Sequence, residues 1–189
     1  MPAQCTVSRL LLITGPPASG KTHLARELAS RYACGVGSKD AIKETLFEAL
    51  GTGDAAWSRR LSDASFALLF QWAPQLLAAH GLVLLEGNFR PGEHEAPLRA
   101  LLERSATRMA QVWCMAAPAT RAARLAARAE DPGRHRGHRD REFDVNVAHG
   151  PGFLDLSGAR LCFNSEADWH GEFAACCTEL DCWLAPHKV

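Results

Sequence analysis

Lys21 and Thr22 close an eight-residue run, Gly15-Pro16-Pro17-Ala18-Ser19-Gly20-Lys21-Thr22, that fits the pattern GxxxxGK[ST] at every fixed position. Residues of these types at this spacing handle phosphate. Inward-facing backbone N–H groups of such a loop bind phosphate oxygens, and the helix that follows adds positive potential at its N-terminus. Lys21 would reach the β- and γ-phosphates of a triphosphate, and the Thr22 hydroxyl would ligate Mg²⁺. A chance Gly-rich turn has no reason to sit between a strand and a helix. Here Arg9–Thr14 reads as a buried strand and His23–Ala29 has apolar residues at helical spacing. Gly15 to Thr22, with His23 after it, is the expected nucleotide cradle, and ATP with Mg²⁺ its expected ligand.

Asp40 and Glu86 are the two carboxylates placed to work beside that cradle. Asp40 stands in Ser38-Lys39-Asp40-Ala41-Ile42-Lys43-Glu44, just after the weak strand candidate Ala33–Gly37. A carboxylate at a strand's carboxyl end can accept a hydroxyl proton during phosphoryl transfer. Asp40 or Ser38 would equally well cap the next helix, and the two roles are compatible. Lys43, one helical turn on, shares the face of Asp40 and could hold an anionic group of an acceptor. Glu86 ends the apolar run Leu82–Leu85 and is followed by Gly87-Asn88-Phe89-Arg90. It is expected to organise Mg²⁺, with Thr22, or the acceptor, with Asn88 and Arg90 entering the same crevice. The plainer reading is a strand exit turning at Gly87 and Pro91. Against it, an acid at the end of an apolar strand faces desolvation.

Arg121, Arg124 and Arg128 follow at offsets of three and four, on one helix face. Beyond them Arg134, Arg136, Arg139 and Arg141 lie in a Gly/Pro-rich segment that begins at Glu130-Asp131-Pro132-Gly133. Such a run reads as a lid, about residues 119 to 142, whose cations close over a triphosphate and exclude water. Arg128 and Arg134 are the candidates for the catalytic contact. A solvated charged helix is the plain alternative. His135 and His138 lack further ligands at zinc spacing.

These residues need a scaffold that brings strand ends together. Helices are expected over Asp40–Leu50, across the region from Trp57 to Leu77 with Pro74 kinking or dividing it, over Pro97–Glu103, Ala119–Ala129 and Trp169–Leu184. With strands at Arg108–Met115 and Arg160–Phe163, the alternation predicts an α/β fold: a five-stranded parallel sheet with helices on both faces. Ligands then bind at the carboxyl ends of the strands. At 189 residues the chain suits one domain, 1–189. Its formal net charge of zero gives no field to recruit nucleic acid or an anionic membrane, so a polymer partner is disfavoured. No apolar run reaches the length of a membrane span. Seven cysteines without a CxxC pair read as buried free thiols, which fits the cytoplasm.

The phosphate loop, the Ser38-Lys39-Asp40 segment with Lys43, Glu86-Gly87-Asn88-Phe89, and Arg134-His135-Arg136-Gly137-His138 together resemble the small P-loop kinases. More narrowly they resemble bacterial kinase-like proteins often labelled AAA-family ATPases, related to zeta toxin and to the kinase domain of phage polynucleotide kinase. The resemblance covers about residues 8 to 165. It implies the P-loop three-layer α/β/α sandwich and an ATP-dependent phosphotransferase. It also implies Asp40 as the general base toward a small hydroxyl acceptor, and Arg128 or Arg134 as the lid arginine. Lys43 falls where polynucleotide kinase has an acceptor-phosphate-binding arginine, and a lysine there forgoes bidentate recognition. A 5′-hydroxyl nucleic-acid kinase and a non-catalytic ATP-binding switch are the alternatives.

Overall fold

The computed structural model describes residues 8–138 and 152–185. Five strands alternate with six helices: β1 (Arg9–Thr14), α1 (Lys21–Tyr32), β2 (Gly35–Ser38), α2 (Lys39–Leu50), α3 (Ala55–His80), β3 (Leu82–Glu86), α4 (Glu95–Arg104), β4 (Arg108–Met115), α5 (Pro118–Glu130), β5 (Ala159–Asn164) and α6 (Trp169–Leu184). The strands pair in parallel in the order β2-β3-β1-β4-β5. Leu10 and Leu12 of β1 face one core with α3 and α4, while Leu11 and Ile13 face the other with α1 and α6. Four apolar residues in a row, Leu10 to Ile13, are what burial on both faces of a central strand requires. The result is the expected three-layer α/β/α sandwich.

Register decides what lies at the rim. Ile13, the residue before the last of β1, is level with Glu86 on β3, and Glu86 is level with Ser38 on β2. The loop leaving β1, the acid ending β3 and the helix leaving β2 therefore open on one edge of the sheet. This is also where the chain, having run β1 to β2, turns back to insert β3 between them, a switch point of the kind that holds ligands.

Two expectations are corrected. Pro74 does not divide its helix: α3 runs unbroken for 26 residues. Proline forfeits one backbone hydrogen bond, but Phe66, Leu69, Ala73 and Leu77 lie in one buried core on both sides of it, and the helix continues through it. The cysteines are not uniformly buried. Cys114, Cys176 and Cys177 are, whereas Cys162 on the edge strand and Cys182 on α6 are exposed. Cys5 lies outside the described residues, as do 139–142 of the expected lid.

Candidate active site

The loop between β1 and α1 is shaped by two glycines. Gly15 has φ 145°, and a Cβ there would stand 2.2 Å from the Cys114 carbonyl oxygen on β4. Gly20, at φ 93°, caps α1 without a side chain, and no acid occupies the first turn. The His23 N–H already donates to the Gly20 carbonyl at 3.1 Å, so the N–H groups of Lys21 and Thr22, which precede the intrahelical ladder, are the ones an anion can take, as the helix dipole favours. Lys21 is buried, and its Nζ donates to the Pro16 carbonyl, 2.8 Å away. Burial lowers its pKa, with Glu86 and Asp40 opposing the shift. The fully buried Ser19 hydroxyl has no partner among the described residues. Arg124 clamps the loop from outside, donating to the Ala18 carbonyl at 3.1 Å, the Ser165 hydroxyl at 2.8 Å and the Ser165 carbonyl at 3.1 Å. Gly15→Ala should therefore disrupt the cradle. Left-handed strain alone costs about 2 kcal/mol, before the clash with Cys114. The expected result is a fall in Tm of roughly 4–8 °C with loss of nucleotide binding, read by thermal shift with and without Mg-ATP.

Three side chains meet beside the loop. Glu86, 2 % exposed, accepts from Ser38 Oγ at 2.9 Å, and its other oxygen lies 3.5 Å from Thr22 Oγ1. Burial raises its pKa against the pull of Lys21. Ser38 also caps α2, accepting from Ala41 N. This frees Asp40, in the first turn, to face the cleft. The Asp40 side chain keeps 44 % of its surface, and the buried Lys39 ammonium sits 3.0 Å away. Its surroundings disfavour its charge, but Lys39, His138 and Lys21 outweigh that and hold its pKa at about 2.

The opposite wall comes from α2 and α3. Their corner is tight: Trp57 Nε1 donates to the Gly51 carbonyl at 2.9 Å, and Asp54 caps α3 by accepting from Trp57 N at 2.8 Å. That corner sets Lys43 of α2 against Ser58 of α3, Nζ to Oγ 2.9 Å. Residues 134–138 roof the same wall. His138 Nε2 lies 2.6 Å from Glu44 Oε1, Arg134 lies 3.5 Å from the same oxygen, and the His135 ring stacks on Phe47. A Cβ on Gly137 would stand 2.4 Å from the Phe47 ring. Gly137→Val should thus lift this segment off α2. Overpacking of about 1–3 kcal/mol predicts roughly tenfold faster tryptic cleavage at Arg134 or Arg136, with the sheet core intact by circular dichroism.

The cleft between these walls has a volume of about 450 Å³. Of the residues expected in a site, Pro17, Ala18, Gly20, Lys21, Thr22, Asp40, Lys43, Glu86, Asn88, Arg90, Arg128 and Arg134 line it. Gly15, Pro16 and Ser19 shape the loop from beneath. His23 turns away, its ring 4.2 Å from that of Trp169. Arg90 reaches the wall but pairs with Glu93 at 3.0 Å. The three helical arginines do not act together: Arg121 is buried and Arg124 clamps the loop, which leaves Arg128 on the cleft. Sequence reasoning passed over Lys39, Ser58, Arg59 and Ser62, all of which line the cleft.

A parallel sheet with this loop leaving a central strand, and an acid ending the strand beside it, defines a P-loop NTPase. The chain belongs to the AAA domain family, whose profile matches residues 10–146. No curated protein matches it by sequence. Among solved structures it is similar to a candidate kinase from Chloroflexus aurantiacus, with 28% identity and a TM-score of 0.85, covering 95% of this chain and 100% of that one. It shares its fold with a sugar kinase from Janibacter (13% identity, TM-score 0.60, 95% and 99% covered). It shares it also with Chaetomium thermophilum Kti12 in complex with ADP-AlF3 (13% identity, TM-score 0.65, 94% and 100% covered). The protein is a small P-loop kinase-like protein. No described helix is long and apolar enough to cross a membrane.

Proposed function

We propose that the protein transfers the γ-phosphoryl group of ATP to a hydroxyl of a small acceptor, giving ADP and a phosphate monoester. The observation that carries this reading is the placement of Asp40 and Lys21 on one cleft, with the carboxylate surrounded by cations that keep it ionised. The uncapped N-terminus of α1 and the Lys21 ammonium, which rests on a carbonyl of the same loop, suit a polyphosphate. Mg-ATP, when bound, supplies the transferable group and a divalent charge.

Lys21 and the loop N–H groups would hold the β- and γ-phosphates. Thr22, with Glu86 behind it, would hold Mg²⁺ or its water shell. Asp40 accepts the proton of the acceptor hydroxyl, whose oxygen forms the new bond to phosphorus as ADP leaves. Arg128 and Arg134 neutralise the charge that develops and keep water out. Asn88 and Arg90 bound the acceptor's side of the cleft. Acceptor-stimulated ADP release, measured across sugars, nucleosides, aminoglycosides and 5′-hydroxyl oligonucleotides, tests the reading. Stimulation by one small-molecule class supports it. Stimulation by oligonucleotides alone, falling steeply with salt, would make the protein a nucleic-acid kinase. Tight ATP binding with no stimulation would make it a nucleotide-controlled switch.

A further inference from the structure

His138 lies on the cleft wall, and the proposed transfer gives it no task. Its side chain is 7 % exposed, and its Nε2 stands 2.6 Å from Glu44 Oε1. A carboxylate only accepts hydrogen bonds, so Nε2 carries the hydrogen and donates it. In the neutral ring Nδ1 is then the bare nitrogen. Among the described residues it has no hydrogen-bond partner. A carboxylate that fixes the tautomer and orientation of an imidazole prepares the other nitrogen to take a proton.

The ring is a neighbour of the proposed base. Asp40 and Glu44 are four residues apart on one face of α2, so a ring held on Glu44 lies beside the turn that carries Asp40. The two are close enough that each charge acts on the other. Packing fixes the ring: it stands edge-on to Phe47, with centroids 6.2 Å apart, and to His135 at 6.3 Å. Asp40 and Glu44 face it from α2 and Arg134 from its own segment, while Lys43 meets the same Phe47 ring. Burial lowers the pKa of His138 below 6.5, the two carboxylates oppose the shift, and Arg134 adds to it. The ring is therefore largely neutral at pH 7 and open at Nδ1.

Asp40 has a use for such a neighbour. The cations that keep it ionised also make it a weak base, and a weak base draws a proton with little driving force. We propose that His138, oriented by Glu44, relays the acceptor's proton: Asp40 takes it first, and Nδ1 of His138 takes it from Asp40, directly or through one water. The acceptor O–H bond breaks as its oxygen bonds to phosphorus and ADP leaves. The proton ends on an imidazolium paired with Glu44, which returns it to solvent as the products depart. The relay rests on the proposed phosphoryl transfer, whereas the Glu44–His138 dyad stands on its own geometry.

Nitrogen-15 resonance of the histidine rings in the full chain tests the dyad without any turnover, with His138 identified by the signal missing from His138→Gln. The Nε2–H tautomer and a titration midpoint below 6.5 are expected. Glu44→Gln removes the charge that favours the imidazolium, so the midpoint should fall further. An Nδ1–H tautomer, or a midpoint indifferent to Glu44→Gln, overturns the proposal.

Kinetics with an active acceptor then test the relay. In the parent, kcat should fall through one acid limb as His138 protonates, and Glu44→Gln should move that limb to lower pH. His138→Gln, whose amide can still donate to Glu44, should lower kcat by about 10²-fold and abolish the limb, with KM for ATP within a factor of a few. A parent-like kcat and pH profile in His138→Gln would overturn the relay and leave the phosphotransferase reading intact. No turnover with any acceptor would overturn that reading, and the relay with it, and the resonance result on the dyad would still hold.

Discussion

Lys21→Ala should abolish phosphoryl transfer, lowering acceptor-dependent ADP release by at least about 10³-fold. Its Nζ is the buried cation of the phosphate loop, and in this structure it bonds to a carbonyl of that same loop. The bond is a resting contact, one that a phosphate oxygen can replace at little cost because a charged donor prefers a charged acceptor. Alanine at this position removes the charge but not the helix, since it is the best helix former. The chain should therefore fold with a Tm within a few degrees of the parent. Steady-state assays and a thermal melt run side by side separate the two effects. Retention of even a tenth of the activity would show that Lys21 does not hold the transferring group.

Asp40→Asn should cut kcat by about 10²–10⁴-fold while leaving nucleotide affinity within a factor of a few. The amide keeps the shape of the side chain and can still bond to Lys39, but it cannot take a hydroxyl proton. Because Ser38 makes the cap of α2, this substitution leaves the helix start intact. The surrounding cations also fix the pH behaviour. With its pKa held at about 2, Asp40 is ionised throughout the ordinary assay range and protonates only as pH falls through that value. Transfer should show no acid limb near pH 4 from this residue. A matched loss of nucleotide binding and of turnover would make Asp40 a structural group.

Much of this site was legible in the residues because its determinants are local. The phosphate loop needs glycine where a Cβ would strike Cys114, and the pattern of fixed positions records that need directly. Strand ends were legible too, so Asp40 and Glu86 fell on the correct edge of the sheet before any register was known. What stayed hidden depends on tertiary placement. Three arginines at helical spacing share a side of α5, but only the seating of that helix sends Arg124 to Ser165 and Arg128 to the cleft. Ser58, Arg59 and Ser62 look like an ordinary polar helix face until the Trp57 corner folds α3 over α2. Lys39 precedes its partner by one residue, a spacing that carries no pairing signal within a helix. Pro74 does not end α3, because the apolar residues on both sides of it pack into one core with other elements.

The most direct test of the central claim is to follow the γ-phosphorus itself. The protein would be incubated with Mg and [γ-³²P]ATP together with a small-molecule extract of cells, and the labelled products separated by chromatography. Label is expected in a small organic phosphate monoester, absent with Lys21→Ala and strongly reduced with Asp40→Asn. Label confined to inorganic phosphate, or retained in ATP despite tight binding, would contradict it.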